Sequence, residues 1–534
     1  AMTQTPVFCD LFLKVKRGRE GTDPHAGWPY RLYRRTLRLA LGHRRLAVAA
    51  AVALLVAAGV GFLSAERIFF PIATRAQFMV DYWLPESARI ERVSEDMRAI
   101  EAHLARQPEV TGTATFIGSG PPRFYLPYEP EMMRSCYGQM IVNVRSWREI
   151  ERLVGPLEDY LADHFPQAEP RVRRFGLGPT TKYEIEARFS GPDPAVLRRL
   201  ADEAKRIMRS DPQTRSVGDD WRQPVKTCVP VYSQARGRRF LVSRAETALS
   251  LRRATSGLPV GYYREADRLL PIFIKAPEEE RDDIDNLGNT PVWGSAPASV
   301  PLRQLVSGLK IEWEDPIIHR RQRRPTITAQ CDPNGALADD VFRRLRPKIE
   351  AIRLPADYRL EWGGQHDASQ TAQNMVFSRL PIAMILMAVI VVALFNNLRQ
   401  PLIILLTLPL AIIGITAGLL LTGTPFGFMA LLGAMSLFGM LIKNAVVLLD
   451  EVNVQLRSGA EPYEALVRAS VSRMRPVMMA SLTTVAGMLP LVTDPLFDAM
   501  AITIMFGLMF ATVLTLIVVP LLYAILYGVR PAAG

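Results

Sequence analysis

Long apolar runs alternate with strongly polar ones along this chain. Windows of about nineteen residues give membrane-span candidates at 46–65, 378–395, 402–421, 428–449, 477–493 and 501–527. One span stands alone near the start and five crowd toward the end. Between the first two lies a polar block, 66–374, too long for a loop and long enough for two or three domains.

Inside that block the period switches between two and about 3.6. Residues 77–84 alternate, with Phe78, Val80, Tyr82 and Leu84 on one face and Met79, Asp81 and Trp83 on the other. Ile90, Val93, Met97, Ile100 and Leu104 follow at helical spacing behind Ser87 as N-cap, and 110–117 is extended again. The cycle repeats as strand 139–145, helix 147–165 and strand 171–175. Two such βαβ units predict a ferredoxin-like split βαβ domain over 66–176. A second domain opens at 182–189, where Tyr183, Ile185, Ala187 and Phe189 alternate, and continues through helix 194–208 and a strand near Val217. Its closing half comes only at strand 326–331, helix 336–350 and strand 358–362. The second domain is therefore 177–221 plus 313–370. Residues 222–312 are an insertion with strands at 227–232 and 270–275 and a helix at 243–252. The five later spans fill 375–527, ahead of a cytoplasmic tail at 528–534.

Charge sets the orientation. The formal net charge is +12, and ten Lys/Arg precede the first span. Arg457, Arg468, Arg473 and Arg475 crowd the link between the fourth and fifth spans. Both segments read as cytoplasmic, six spans make them agree, and the large block lies outside. Because this charge is juxtamembrane, nucleic acid is not implied as a partner. Cys9, Cys136, Cys228 and Cys331 are too scattered for a disulfide framework or metal cluster, although one bridge in the external block stays open. The six histidines show no ligand spacing. No signal peptide is expected, since the first apolar run begins late. Residues 1–13 read as the tail of an apolar helix, so 1–45 is expected to be the end of a preceding span and a basic cytoplasmic linker, with an upstream half missing.

The sharpest chemical signal is Lys443, followed by Asn444, within 428–449. A charge at mid-membrane costs at least ~2.5–3.5 kcal/mol on the lenient insertion scale. One reading is an ammonium that pairs with carboxylates on a neighbouring helix and changes partner when they protonate. The other is a lysine snorkelling from about two turns inside the cytoplasmic end. Asp450 and Glu451 close the span and need no special role. Arg473-Met474-Arg475-Pro476 opens the fifth span, either as topology charges or as part of a proton path. Ser481, Thr483 and Thr484 could bond across helices or simply bond their own backbone. Gly414 and Gly418 read as a packing face. Outside, Phe116-Ile-Gly-Ser-Gly-Pro-Pro-Arg-Phe124-Tyr125-Leu-Pro-Tyr128 combines turn residues with aromatics, suited to greasy ligands or to docking on a neighbouring domain. The Met79/Asp81/Trp83 face could line a cleft or an interface. Met132, Met133 and Met140 could capture a soft metal, with plain packing the competing reading. There is no Walker A sequence, no G-x-S-x-G and no H-E-x-x-H, so an enzyme is not expected.

Together these features resemble the permease subunit of resistance–nodulation–division efflux pumps, in its C-terminal half and of the type exporting amphiphilic drugs. Leu437-Phe-Gly-Met-Leu-Ile-Lys443-Asn444-Ala-Val-Val-Leu-Leu-Asp450-Glu is similar to the family's tenth transmembrane helix. Arg473-Met-Arg475-Pro476 through Ser481-Leu-Thr-Thr-Val-Ala-Gly-Met-Leu-Pro490-Leu resembles the eleventh. Phe69-Phe70-Pro71 and Leu84-Pro85-Glu86 resemble the start of the third porter subdomain, and Thr5-Pro6 through Lys14 the end of the sixth helix. The resemblance implies an α-helical membrane bundle with external α+β porter subdomains and a docking insertion. It implies a homotrimer in the inner membrane of a Gram-negative bacterium, working with a periplasmic adaptor and an outer-membrane channel. No cofactor is implied; the drive is the proton gradient, worth about 2.3 kcal/mol per proton across 100 mV. Lys443 would be the charged switch, meeting two aspartates of the absent half. Asn444, Arg473, Ser481 and Thr483 would complete the proton relay, with Ala480 standing where some members have threonine. Phe116, Phe124, Tyr125, Met79 and Trp83 would touch the amphiphilic cargo. Export of metal or lipid on the same scaffold is the alternative, as is a non-pumping secretion accessory or sensor.

Overall fold

A computed structural model describes Val7 and residues 27–529 apart from 180, 278–284 and 296. Apart from Val7, the expected helix tail at 1–13 therefore lies outside the described residues. The basic segment before the first span is not a linker throughout. It folds as helix α1 (Trp28–Gly42), with Tyr33, Leu37, Ala40 and Leu41 buried, and turns at His43 into α2 (Arg44–Leu63), the first span.

The first external unit comprises β1 (Gln77–Trp83), α3 (Ile90–Leu104), β2 (Val110–Ile117), β3 (Tyr137–Val144), α4 (Ile150–His164) and β4 (Arg171–Arg174). Its sheet runs β2-β3-β1-β4, all antiparallel, which is the split βαβ order that the alternation predicts. The Phe78/Val80/Tyr82 side meets Val93, Met97 and Ile100 of α3 and Leu153, Leu157 and Leu161 of α4 in one core. Ser146 and Glu149 form the capping box that starts the turn into α4.

The second unit repeats the plan around β5 (Ile185–Ser190), α5 (Pro194–Arg209) and β6 (Thr214–Asp219). Next come β7 (Val225–Tyr232), α6 (Gln234–Phe240), α7 (Arg244–Ala254), β8 (Leu258–Glu265), β9 (Arg268–Ile274), β10 (Pro291–Val292), β11 (Val300–Pro301), α8 (Leu302–Leu305) and β12 (Val306–Glu314). The unit closes with β13 (Arg320–Arg321), β14 (Arg324–Pro333), α9 (Ala338–Glu350) and β15 (Arg359–Gly363). β14 sits between β5 and β6, and β15 flanks β5. Strands β7 and β12 pair as the two legs of the intervening segment. Beyond them β8 and β9 form a hairpin with apolar side chains in the open: Tyr262 is 69% and Phe273 51% exposed.

Among the described residues, six helices are long and apolar enough to cross a membrane. After α2 they are α10 (Gly364–Phe395), then α11 (Arg399–Thr407) continuing through a tighter turn into α12 (Ala411–Thr422), α13 (Phe428–Arg457), α14 (Pro462–Met488) and α15 (Asp498–Leu526). α15 is the hub, packed against α12, α13 and α14. Gly414 and Gly418 do form a packing face. A Cβ on either would stand 2.5–2.6 Å from atoms of Phe506 in α15, so only glycine lets the two backbones approach so closely. The apolar windows of α2 and α10 are almost bare, at 0% and 6% buried. The sequence pattern predicts that the second external unit ends near 370 and that the next span opens at 375. Instead β15 passes straight into α10 at Gly364, which has φ +66.

Candidate functional site

In the bundle, α13 carries Lys443 near its midpoint. Lys443 is exposed on a stripe with Ser436, Gly439 and Asp450, at the i, i+3/i+4, i+7 spacing of one helix face. No described helix covers that stripe. Asn444 is 5% exposed and turns into the bundle, so the two neighbours face different surroundings rather than acting as a pair. Arg473 is not beside Lys443. Its Nε and a terminal nitrogen donate to Glu451 Oε2 at 3.0 and 2.5 Å, and Glu451 Oε1 accepts from Gln455 at 2.9 Å. Glu451, expected to need no special role, thus has a specific partner in Arg473. This ion pair lies eight residues from Lys443, about 12 Å along the helix, which sets how far inside the ammonium starts.

Ser481 is buried, donates to the Val477 carbonyl at 3.1 Å and meets Thr512 Oγ1 of α15 at 2.7 Å. Thr483 is exposed and bonds only backward, to the Met479 and Ala480 carbonyls. Thr484 likewise bonds Ala480. The hydroxyls of α14 therefore point in separate directions, and Ser481 is the one that bridges two spans.

On the external units, strand register builds a second constellation. β1 places Asp81 opposite Gln139 of β3 and Arg171 of β4, with Arg173 diagonal to it. Asp81 is 5% exposed and accepts from Tyr137 Oη at 2.8 Å, Gln139 Nε2 at 2.5 Å and Arg173 Nε at 2.6 Å. Burial alone would raise its carboxyl. Arg173 and Arg171, with the hydrogen bonds from Arg173 and Tyr137, hold it below the usual carboxylate range. Gln139 Oε1 in turn accepts from Tyr128 Oη at 2.7 Å, anchoring the segment 118–134 over this face.

Met79, Tyr128, Ile141 and Phe175 form the apolar patch beside that network, with Phe116 and Tyr125 packed on it. Phe124 is 45% exposed and lies 5.1 Å from Tyr128 and 5.9 Å from Phe175 between ring centres. Arg75 sits over Tyr125 at 4.8 Å. Of the five expected contact residues, Phe116, Phe124 and Tyr125 converge with their rings accessible, whereas Met79 beneath them is only 2% exposed and is packing rather than a ligand contact. Trp83 does not join them. It stacks on Tyr137 at 4.2 Å and under the Arg222 guanidinium at 4.4 Å, at the junction of the two units. Arg171 crosses that junction to Asp332 at 2.6 and 2.9 Å and covers Tyr183 at 3.8 Å. Met140 is buried in the helix-side core, whereas Met132 and Met133 are 74% and 86% exposed. Cys136 and Cys331 are buried and free, and Cys228 is half-buried and free. Among the described residues no three His, Cys, Asp or Glu converge in metal-binding fashion.

A six-span bundle carrying two split βαβ units, with a mid-helix lysine and an inter-unit junction, defines a polytopic membrane protein of transporter architecture. The chain belongs to the AcrB/AcrD/AcrF family of resistance–nodulation–division permeases, whose sequence profile matches residues 1–527. It is 26% identical over 532 residues to the nickel and cobalt resistance protein CnrA of Cupriavidus metallidurans, covering 94% of this chain and 48% of that protein. It is 22% identical over 537 residues to the multidrug resistance protein MdtC of Serratia proteamaculans, covering 98% and 52%. The fold matches the crystal structure of a heavy metal efflux pump with a TM-score of 0.76 at 22% identity, over 94% of this chain and 53% of that one. The chain spans about half the length of the curated relatives it matches.

Proposed function

We propose that this chain is the C-terminal half of a proton-driven efflux permease that takes amphiphilic compounds from the outer face of the inner membrane or the periplasm. Lys443 carries the reading. An ammonium about 12 Å inside the Glu451–Arg473 pair, on a stripe of small and polar residues, suits a charge waiting for acidic partners rather than lipid. Protonation of those partners would release the lysine, and the changed helix contact would drive the external units. The accessible aromatics Phe116, Phe124 and Tyr125, seated on the buried Met79 and Tyr128, support an amphiphilic cargo. The bare β8–β9 hairpin supports assembly with further copies, as in a trimer that engages an adaptor and an outer-membrane channel.

A second reading keeps the same drive and changes the cargo to a metal cation. Similarity to CnrA favours it, as do the exposed thioethers of Met132 and Met133 on the segment that covers the patch. One experiment separates them. A deletion strain complemented with the intact protein is profiled against ethidium, detergents, nickel, cobalt and copper, alongside Lys443→Ala. Protection confined to the organic compounds and lost in Lys443→Ala supports the proposal. Protection confined to metals replaces the cargo, and full activity of Lys443→Ala removes the switch.

A further inference from the structure

Helix α1 has two unlike faces. Tyr33, Leu37, Ala40 and Leu41 are buried against the bundle. At about 3.6 residues per turn the opposite side presents Trp28, Leu32 and Leu39, which are 69%, 53% and 63% exposed. Beside that apolar ridge runs a row of Arg31, Arg35 and Arg38 at i, i+4, i+7. Arg31 and Arg35 are exposed, and their guanidiniums make no ion pair or hydrogen bond among the described residues. Arg38 reaches Glu464 at 3.6 Å while remaining 52% exposed. Arg34 Nε is enclosed with no hydrogen-bond partner among the described residues. Water would leave the ridge bare and hydrocarbon would strand the guanidiniums. The boundary between the two satisfies both.

The contacts of α1 put it at that boundary. Tyr33 Oη donates to the Leu516 carbonyl at 2.7 Å, and Arg44 holds the carbonyls of Leu41 and Ala524 at 3.1 Å. From Asp498 to Leu516 helix α15 rises about 27 Å, close to the ~30 Å of a hydrocarbon core. The contacts at Leu516 and Ala524 thus seat α1 along the last turns of α15, ending at the close of its apolar run on the side of the basic span ends.

We propose that the outer face of α1 is a binding site for acidic phospholipids. The guanidiniums of Arg31, Arg35 and Arg38 take headgroup phosphates while Trp28, Leu32 and Leu39 sink into the acyl boundary. This site stands whatever the cargo proves to be. The test titrates the intact, delipidated protein with phosphatidylglycerol or phosphatidylcholine and counts retained lipid by native mass spectrometry. Wild type is expected to prefer phosphatidylglycerol. Arg35→Gln, at an exposed and unpaired position, should weaken that binding about fivefold, the worth of one basic side chain at an acidic surface. The triple Arg31→Gln/Arg35→Gln/Arg38→Gln should bring the two lipids to parity, and Arg457→Gln in the link after α13 should change nothing. Unaltered binding by Arg35→Gln, an equal loss in Arg457→Gln, or displacement by millimolar inorganic phosphate would each overturn the proposal, the last in favour of a free-anion site.

Discussion

Replacing Asp81 with alanine should loosen the whole open face of the first external unit. The change removes the acceptor of three donors at once: Tyr137 Oη, Gln139 Nε2 and Arg173 Nε. Deleting one member of a buried ion pair costs about 3–5 kcal/mol, because the other charge stays behind without its partner. Arg173 is only 22% exposed at its side chain, so most of that penalty applies, and the buried Tyr137 hydroxyl loses its acceptor as well. Taking ~3 kcal/mol as the floor, local opening rises more than about a hundredfold, at a factor of ten per 1.4 kcal/mol. Hydrogen exchange by mass spectrometry reads this directly on peptides covering 118–144, with α9 as an internal reference. Asp81 is depressed below its ordinary range in the fold, so its contribution is complete at neutral pH and fades only as pH falls through that lowered value. The gap between wild type and variant should therefore be flat from about pH 6 to 8 and narrow in acid. Less than a fivefold change at 137–144 with α9 unaltered would refute the idea that Asp81 holds this face.

Three further outcomes follow from the geometry. Ser481→Ala should destabilise the intact protein by the ~1 kcal/mol of one hydrogen bond to Thr512, read as a lower melting temperature, whereas Thr483→Val should match wild type in stability and export; the reverse order would move the relay to Thr483. Burial raises the Asp220 carboxyl from 3.8 to about 6, against the Thr328 N–H that donates to it at 2.7 Å. The folded state then binds that proton more tightly than the unfolded one, and stability falls as pH rises between about 4 and 6. Asp220→Asn keeps the acceptor and should stabilise at pH 7.5 but not at pH 4 in thermal melts; an equal gain at both would reject the burial argument. Tyr262→Ser with Phe273→Ser on the β8–β9 hairpin should shift the detergent-solubilised protein toward monomer in native mass spectrometry, and an intact oligomer would show that the hairpin is not the contact.

Periodicity exposed most of the frame. Alternation at 77–84 and helical spacing at 90–104 fall on β1 and α3, and the interrupted second unit was visible because its two halves repeat the same pattern. The arm β8 was invisible, since Pro259 and Gly261 break its alternation and both of its faces are solvent-exposed. Helix α1 was hidden by its arginines, whose stems flank a buried face only four residues wide. Lys443 stood out because charge in oil is costly. The Asp81 network did not, because Gln139 and Arg173 become its neighbours through strand pairing rather than through sequence proximity. Arg473 met Glu451 for a similar reason: only the packing of α13 on α14 decides which end of the helix it reaches.

The junction at Gly364 has a mechanical corollary. Strand β15 hands over to a 32-residue helix without a hinge, and a side chain there would collide with the carbonyls of Tyr183 and Glu184. The Gly364 N–H is also tied to Glu186 at 3.2 Å. Any rocking of that sheet must therefore pass straight into the first turns of α10, as far as Pro381, whose missing N–H interrupts the helix ladder and lets the rod bend.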